Sequence, residues 1–278
     1  MSFVPDLDAY FARIGYAGPR QASREVLDAI VLRHVCTIPF ENVDVLLGRG
    51  IDIDPAAVER KLVHARRGGY CFEQNGYLLH VLGALGFSVR PLSARVRVGR
   101  TREEQAPRTH VFVGIDLEGQ ALLADVGVGG LSPTCSLRLD VEQEQATPHE
   151  PRRLLREGAW SGALRDPDAR IYHQARIGDE WRDVAELTLE QMPQIDRVIG
   201  NWYTSAHPSS RFKQVLMVAR ATETGRVTLL DYELTVRGRD GVAQVTQLAS
   251  DEAVLEALEA HFGIALPAGT KLIPSARG

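Results

Sequence analysis

The spacing of apolar residues changes period about a third of the way along the chain. In "DLDAYFARIG", Leu7, Tyr10, Phe11 and Ile14 recur at helical intervals and predict a helix with one buried stripe. "SREVLDAIVLRHV" opens at Ser23, a good N-cap, and carries Val26, Ile30 and Val31 on its inner side. "DPAAVERKLVHARRG" sets Asp54 before Pro55 and places a glycine beyond the last turn, a start and a stop for a third helix. A fourth is predicted from about Cys71 to Leu85, where Cys71, Asn75, Leu78, Leu82 and Leu85 share a face and Gly86 can close the end. Gly76 and Gly83 within it lower helix propensity, so it must pack closely against its neighbours.

Alternation then replaces the helical period. "PLSARVRV" sets Leu92, Ala94, Val96 and Val98 on one face and arginines on the other; "THVFVGIDL" alternates too, and "ALLADV" follows after a short break. Further strands are predicted in "RIYHQAR", "EWRDVAELTL", "FKQVLMVAR", "RVTLLDYELTV" and "AQVTQL", with a closing helix "SDEAVLEALEAHFG" that ends at Gly263. "VEQEQATPHEP" reads as a loop. "QMPQIDRVIGNWYTSAHPSS" reads as irregular, with a domain junction near its start. Helices first and strands in the middle make the fold class α+β.

Composition narrows the function classes. The 278 residues are 44% hydrophobic, enough for one large domain or two to three small ones. A formal net charge of −4 with no polybasic block argues against nucleic-acid binding. No apolar run is long enough for a membrane span, and "MSFVPDLDAY" lacks the basic and apolar regions of a signal peptide. The cysteines, Cys36, Cys71 and Cys135, are odd in number and widely spaced, so a disulfide framework is not expected and a cytoplasmic location fits. There is no G-x-S-x-G, no Walker loop, no H-E-x-x-H and no C-x-x-C, so no metal is expected.

Cys71 is the candidate nucleophile. In "RRGGYCFEQN" it stands at the mouth of the fourth predicted helix, where the positive end of the dipole favours a thiolate. A nucleophilic thiol needs a base and a group to orient that base. If Glu118 and Gly119 form a two-residue turn, paired residues across the hairpin "THVFVGIDLEGQALLADVG" have numbers summing to 237. Phe112 then faces Asp125 and His110 faces Gly127, so His110 and Asp125 share a face as diagonal neighbours, roughly 5.5–8 Å apart at the backbone. Asp125 ends an otherwise apolar strand and needs a partner; His110 is the one the register supplies. The segment "DVGVGG" that follows is not a dinucleotide fingerprint. Its glycines either admit a ligand chain close to the backbone or make a bend at a sheet edge, and the pattern does not choose.

These residues resemble the arylamine N-acetyltransferase family, bacterial branch. "RRGGYCFEQN" is similar to its R-G-G-x-C-F-E-x-N motif, and "TIPFENVDVLLGR", "SARV", Thr109–His110, "DVG" at Asp125, "SPTCSLRL", "MPQID" and "SAHPSSRF" extend the likeness over almost the whole chain. Val128 departs from it, standing where bacterial members usually carry an aromatic residue. The resemblance implies a helical bundle over residues 1–86, a β-barrel-like domain over 87–192 and an α/β lid over 193–278, with a Cys-His-Asp triad arranged as in cysteine proteases. It also implies acetyl transfer from acetyl-coenzyme A to an arylamine or arylhydrazine, in ping-pong order through an acetyl-cysteine at Cys71, with His110 as base and Asp125 orienting it. No metal, nucleic acid or membrane partner enters that picture, and a homo-oligomer is compatible with it.

Gly127, Gly129, Gly130 and Val96 are expected against the coenzyme, and Phe40 and Phe112 against the acceptor. Arg95, Arg97, Arg100, Arg102 and Arg108 lie near His110 in sequence and are candidates for the coenzyme phosphates. Glu73 and Asn75 are read as supports of the site, Glu73 beside an arginine such as Arg67. The alternatives are a macrolactam-forming amide synthase of the same superfamily, a thiol hydrolase or transglutaminase-like enzyme, and a non-catalytic binding protein on the same scaffold.

Overall fold

A computed structural model describes residues 3–159 and 169–273. Its helices are α1 (Leu7–Ile14), α2 (Arg24–Thr37), α3 (Val43–Leu46), α4 (Pro55–Glu59), α5 (Cys71–Ala84), α6 (Gln194–Ala206) and α7 (Asp251–Phe262). The strands are β1 (Phe40–Glu41), β2 (Ser88–Val96), β3 (His110–Leu117), β4 (Gln120–Ala124), β5 (Leu137–Arg138), β6 (Arg152–Glu157), β7 (Arg170–Ile177) and β8 (Glu180–Gln191). β9 (Met217–Thr222), β10 (Gly225–Leu230), β11 (Glu233–Gly238) and β12 (Ala243–Gln247) complete them.

The caps read at Ser23 and Asp54 and the stop at Gly263 are present, and Asp6, Ser250 and Gly15 act in the same way. Asp6, Ser23, Asp54 and Ser250 each accept a backbone N–H of the following turn, and Gly15 and Gly263 close their helices in the left-handed region. The third predicted helix begins at Pro55 but loosens after one turn into a π-helical segment over Arg60–His64. Tyr10, Leu27, Ile30, Leu62, Leu78 and Leu82 form a helical core that also takes Val113, Ile115, Leu122 and Ala124 from β3 and β4.

β3 and β4 pair in the register that sums to 237, from Leu117↔Gln120 to Val113↔Ala124, around a turn in which Glu118 and Gly119 both have positive φ. They belong to an antiparallel seven-stranded sheet in the order β5-β4-β3-β2-β8-β7-β6. Inward residues from all seven strands, Leu137 of β5 and Leu154 of β6 included, meet in one cluster, so the sheet curls around a shared interior. β3 is therefore covered on both sides, by helices and by this interior.

The second sheet runs β1-β9-β10-β11-β12, and α7 packs on it through Val254, Leu258 and Phe262. Its first strand comes from residues 40–41, so the last third of the chain closes directly onto the helical part. "RVTLLDYELTV" is two strands rather than one, reversed at Asp231, whose φ is +50°. β6 carries no alternation in "RRLLRE" and was not expected.

The stretch from Gln194 to Ala206 is helical, contrary to the irregular reading. Gly200 and Asn201 break its propensity, but both serve tertiary contacts. A Cβ on Gly200 would lie 2.6 Å from Phe72 Cζ. Asn201 accepts a hydrogen bond from the Tyr70 hydroxyl and donates to Ile51 O at 2.9 Å. Packing on the start of α5 thus outweighs local preference. Gly200→Val is expected to lower stability by about 1–3 kcal/mol through overpacking; a urea midpoint equal to wild type would show that α6 does not rest on Phe72.

Candidate active site

Cys71 is the first residue of α5, so its N–H is one of those without an acceptor inside the helix. The approach is held by Glu73, whose Oε2 accepts the Tyr70 N–H at 3.0 Å and whose Oε1 accepts from Lys61 Nζ at 2.7 Å. The partner of Glu73 is therefore Lys61, not Arg67; Arg67 donates to Glu41 Oε1 at 2.8 Å. Burial pushes the Glu73 carboxyl up to about 7 against the pull of Lys61, and three carboxylates around Lys61 outweigh its own burial and raise it as an ammonium. The Cys71 thiol donates to Thr109 O at 3.4 Å.

His110 begins β3 and Asp125 follows the last residue of β4, at the same end of the hairpin. His110 Nε2 and Asp125 Oδ2 are 2.9 Å apart, and both side chains are almost wholly removed from solvent. The other oxygen, Oδ1, accepts from Asn75 Nδ2 at 2.7 Å and from the Gly127 N–H at 2.8 Å. Asn75, one turn after Cys71, also donates to Val111 O at 2.8 Å and accepts from the Val126 N–H at 2.9 Å. One helix thus presents the sulfur and grips the carboxylate. With Nε2 on Asp125, Nδ1 is the ring nitrogen left for another partner.

Burial alone would keep the imidazole neutral. The Asp125 charge and hydrogen bond, with those of Cys71, outweigh it and push His110 up to about 10. Burial also opposes the Asp125 carboxylate, but His110, Asn75 and the Gly127 amide hold it below the usual carboxylate range. Burial raises the Cys36 thiol and pushes Cys135 up to about 12.

Cys71, Thr109 and His110 open into a cleft of about 520 Å³. Gly127, Gly129, Gly130, Val96 and Phe40 line it, as do Val98, Arg100, Val128, Tyr203, Arg211, Phe212 and Thr228. Phe112 does not. It shares the His110 face, as the register requires, but that face turns into the barrel interior, where Phe112 is fully buried with its ring edge-on to His110 at 4.9 Å. The expectation of Phe112 as a pocket residue is corrected on that ground.

The glycines are fixed by clearance. A Cβ on Gly127 would lie 2.6 Å from Cys71 Cα, and one on Gly130 would lie 2.9 Å from Thr228 Cγ2. Gly129, at φ +95°, lies against Phe40. Of the five arginines near His110, Arg97 is bound to Glu186 at 2.8 Å, Arg102 to Asp183 at 2.6 Å, Arg108 to Glu190 and Arg95 to Ala106 O. Arg100 is the one of the five that reaches the cleft, with Glu104 at 3.6 Å. Tyr203, Arg211 and Thr228 were missed because they arrive from the last third of the chain; only the likeness of "SAHPSSRF" pointed there. Among the described residues no cluster of His, Cys, Asp and Glu could hold a metal ion, and no helix is long and apolar enough to cross a membrane.

Residues 23–271 match a family model described as N-acetyltransferase. The arylamine N-acetyltransferase of Mycobacterium tuberculosis is 40% identical over 93% of this chain and 89% of its own length. The Escherichia coli arylamine N-acetyltransferase is 37% identical over 94% and 89%. The structure of Mycobacterium marinum arylamine N-acetyltransferase in complex with CoA superposes with a TM-score of 0.85, at 35% identity and 93% coverage of both chains.

Two outcomes follow from the geometry. Asn75→Ala deletes a bond to a buried carboxylate worth about 1.5–3 kcal/mol. It should lower kcat/KM about tenfold or more with folded-state circular dichroism retained; wild-type turnover would show that Asp125 is held without it. His110 is raised from 6.5 to about 10 on folding, so its contribution to stability is complete below pH 6.5 and lost as pH rises through 10. Urea unfolding from pH 6 to 10 should show a steeper alkaline loss for wild type than for His110→Gln, and parallel curves would refute the charge coupling.

Proposed function

The chain belongs to the arylamine N-acetyltransferase family, and from that premise we propose how its residues carry an acetyl group from acetyl-coenzyme A to an arylamine. Acetyl transfer to arylamines by way of a cysteine intermediate is the activity of the chain. The roles of Cys71, His110 and Asp125 as a Cys-His-Asp triad arranged as in cysteine proteases, and of arylhydrazines as further acceptors, are our reading. So is the assignment of residues 1–86, 87–192 and 193–278 to bundle, barrel and lid.

In the first half-reaction Cys71, its proton already held on His110 Nδ1, attacks the thioester carbonyl carbon as a thiolate. The carbon–sulfur bond to coenzyme A breaks, and the departing thiolate takes the proton back from His110. The Cys71 N–H at the start of α5 is placed to donate to the developing oxyanion. Coenzyme A leaves, and the acetyl group stays on Cys71. In the second half-reaction the amine nitrogen attacks that acetyl carbon, His110 takes the proton from nitrogen, and Cys71 departs as a thiolate. Asp125 holds the ring orientation throughout and stabilises its cation.

The observation that carries this reading is the 2.9 Å contact between His110 Nε2 and Asp125 Oδ2, with Cys71 and His110 both on the wall of one cleft. The pair has a built-in change of basicity. Cys71 contributes both a charge and a hydrogen bond to the upward shift of His110. Acetylation removes both, so His110 becomes less basic, closer to a base suited to deprotonating an amine near neutral pH.

Acetyl-coenzyme A alone should leave one acetyl group on the peptide containing Cys71, and double-reciprocal plots for donor and amine should be parallel. Label on another residue, or turnover by Cys71→Ala, would refute the mechanism. Nuclear magnetic resonance of His110 should show a lower titration midpoint in the acetylated enzyme than in the free enzyme.

A further inference from the structure

The glycine wall of the cleft ends on two carbonyls, and both receive guanidinium groups. Arg152 of β6 donates from Nη1 to Leu131 O at 2.8 Å and from Nη2 to Ser132 O at 3.4 Å. Arg226 of β10 donates from Nη2 to the same Ser132 O at 2.9 Å. Glu150 joins the two cations: Arg226 reaches its two oxygens through Nε and Nη2, both at 2.7 Å, and Arg152 Nη2 reaches Oε2 at 3.2 Å. Ser132 completes the wall by exchanging bonds with Gly129, whose N–H donates to Ser132 Oγ at 3.1 Å and whose carbonyl accepts the Ser132 N–H at 2.9 Å.

Packing does not account for this cluster. Arg152 is fully buried and Arg226 nearly so, yet one carboxylate serves two cations. Burial and the neighbouring Arg226 lower Arg152 to about 10. Arg226 and Arg152 outweigh burial and hold Glu150 down to about 2. His173, 3.3 Å from Arg152 Nη1, is driven to about 3 by burial and then by Arg152, so it stays neutral and accepts. Arg152 Nε and His173 Nδ1 are buried without a hydrogen-bond partner. Buried charge clusters of this kind commonly add little to stability over apolar residues of similar volume.

The cluster's position explains what packing does not. A segment with glycine at 127, 129 and 130 has wide backbone freedom, and a cleft wall needs to be still. Its first end is tied by the Gly127 N–H to Asp125 at 2.8 Å. Its second end is tied by Arg152 from the barrel sheet and Arg226 from the second sheet, so at Ser132, just behind the cleft, the segment is held to both sheets.

We propose that Glu150, Arg152 and Arg226 are positioning residues for the acyl donor: they fix the 127–132 wall at the spacing from Cys71 that a long coenzyme thioester requires. This rests on the cleft being the seat of acetyl-coenzyme A. A small activated ester, p-nitrophenyl acetate, delivers the same acetyl group to Cys71 without an arm to lie along the wall, so the two donors separate positioning from chemistry.

The variants are Glu150→Gln, which keeps shape and removes the charge, and Arg226→Lys, which keeps charge and removes the paired donors. Acetylation of Cys71 is followed in single turnovers with each donor, beside a thermal midpoint for each variant. Both variants should lose about tenfold or more in acylation per molar acetyl-coenzyme A, while p-nitrophenyl acetate changes by less than about twofold. Equal losses with both donors, or no loss with either, would overturn the proposal. If one variant does not fold, the other decides. Wild-type protein that accepts acetyl from the ester but not from acetyl-coenzyme A would instead refute the donor, which is a different failure.

Discussion

A buried imidazole and a buried carboxylate, 2.9 Å apart, are the constraint around which the site is built. Removing two charges from water costs several kcal/mol per ion, so such a pair survives only when geometry and extra hydrogen bonds offset the loss. Asp125 has those bonds: the Asn75 amide and the Gly127 N–H on one oxygen, His110 on the other. The dipole at the start of α5 contributes about 0.3–1 kcal/mol in comparison. Position at a helix mouth presents the sulfur, whereas the ion pair sets where the proton resides.

The same pair explains the shape of its surroundings. Asn75 can reach Asp125 because it lies one turn beyond Cys71, so α5 must sit close against the end of the hairpin. That closeness leaves no room for a side chain at Gly127, where a Cβ would stand 2.6 Å from the Cys71 backbone. The glycine is therefore required by the Cys71 main chain, whatever ligand passes over it. Steric and electrostatic demands converge on the segment from Asp125 to Gly130.

Much of this was legible in the chain because the rules involved are local. Ser23 and Asp54 cap helices by short-range hydrogen bonds. The Glu118–Gly119 turn fixes a register by arithmetic, and that register sets His110 and Asp125 on one face. What failed was long-range. α6 carries Gly200 and Asn201 against its own propensity because Phe72 and Tyr70 need them there, a reason visible only once the helix is docked. Phe112 was placed on the correct face but in the wrong environment, since alternation gives sidedness and not what covers a side. Arginines crowded near His110 in sequence mostly meet carboxylates from β8, which sequence order does not reveal.

The two-residue strand β1 makes the cleft a late product of synthesis. Phe40 stands in it beside Gly129, and its flank at Asn42 accepts the Met217 N–H across 175 positions of chain. Contacts of that span form slowly, because a long loop must close before they gain anything. A nascent polypeptide that has already emerged with its thiol, imidazole and carboxylate still lacks one side of the chamber until its final third arrives. Competence for acyl chemistry is consequently tied to completion of the chain, and a prematurely ended product would carry the reactive groups without the enclosure that directs them.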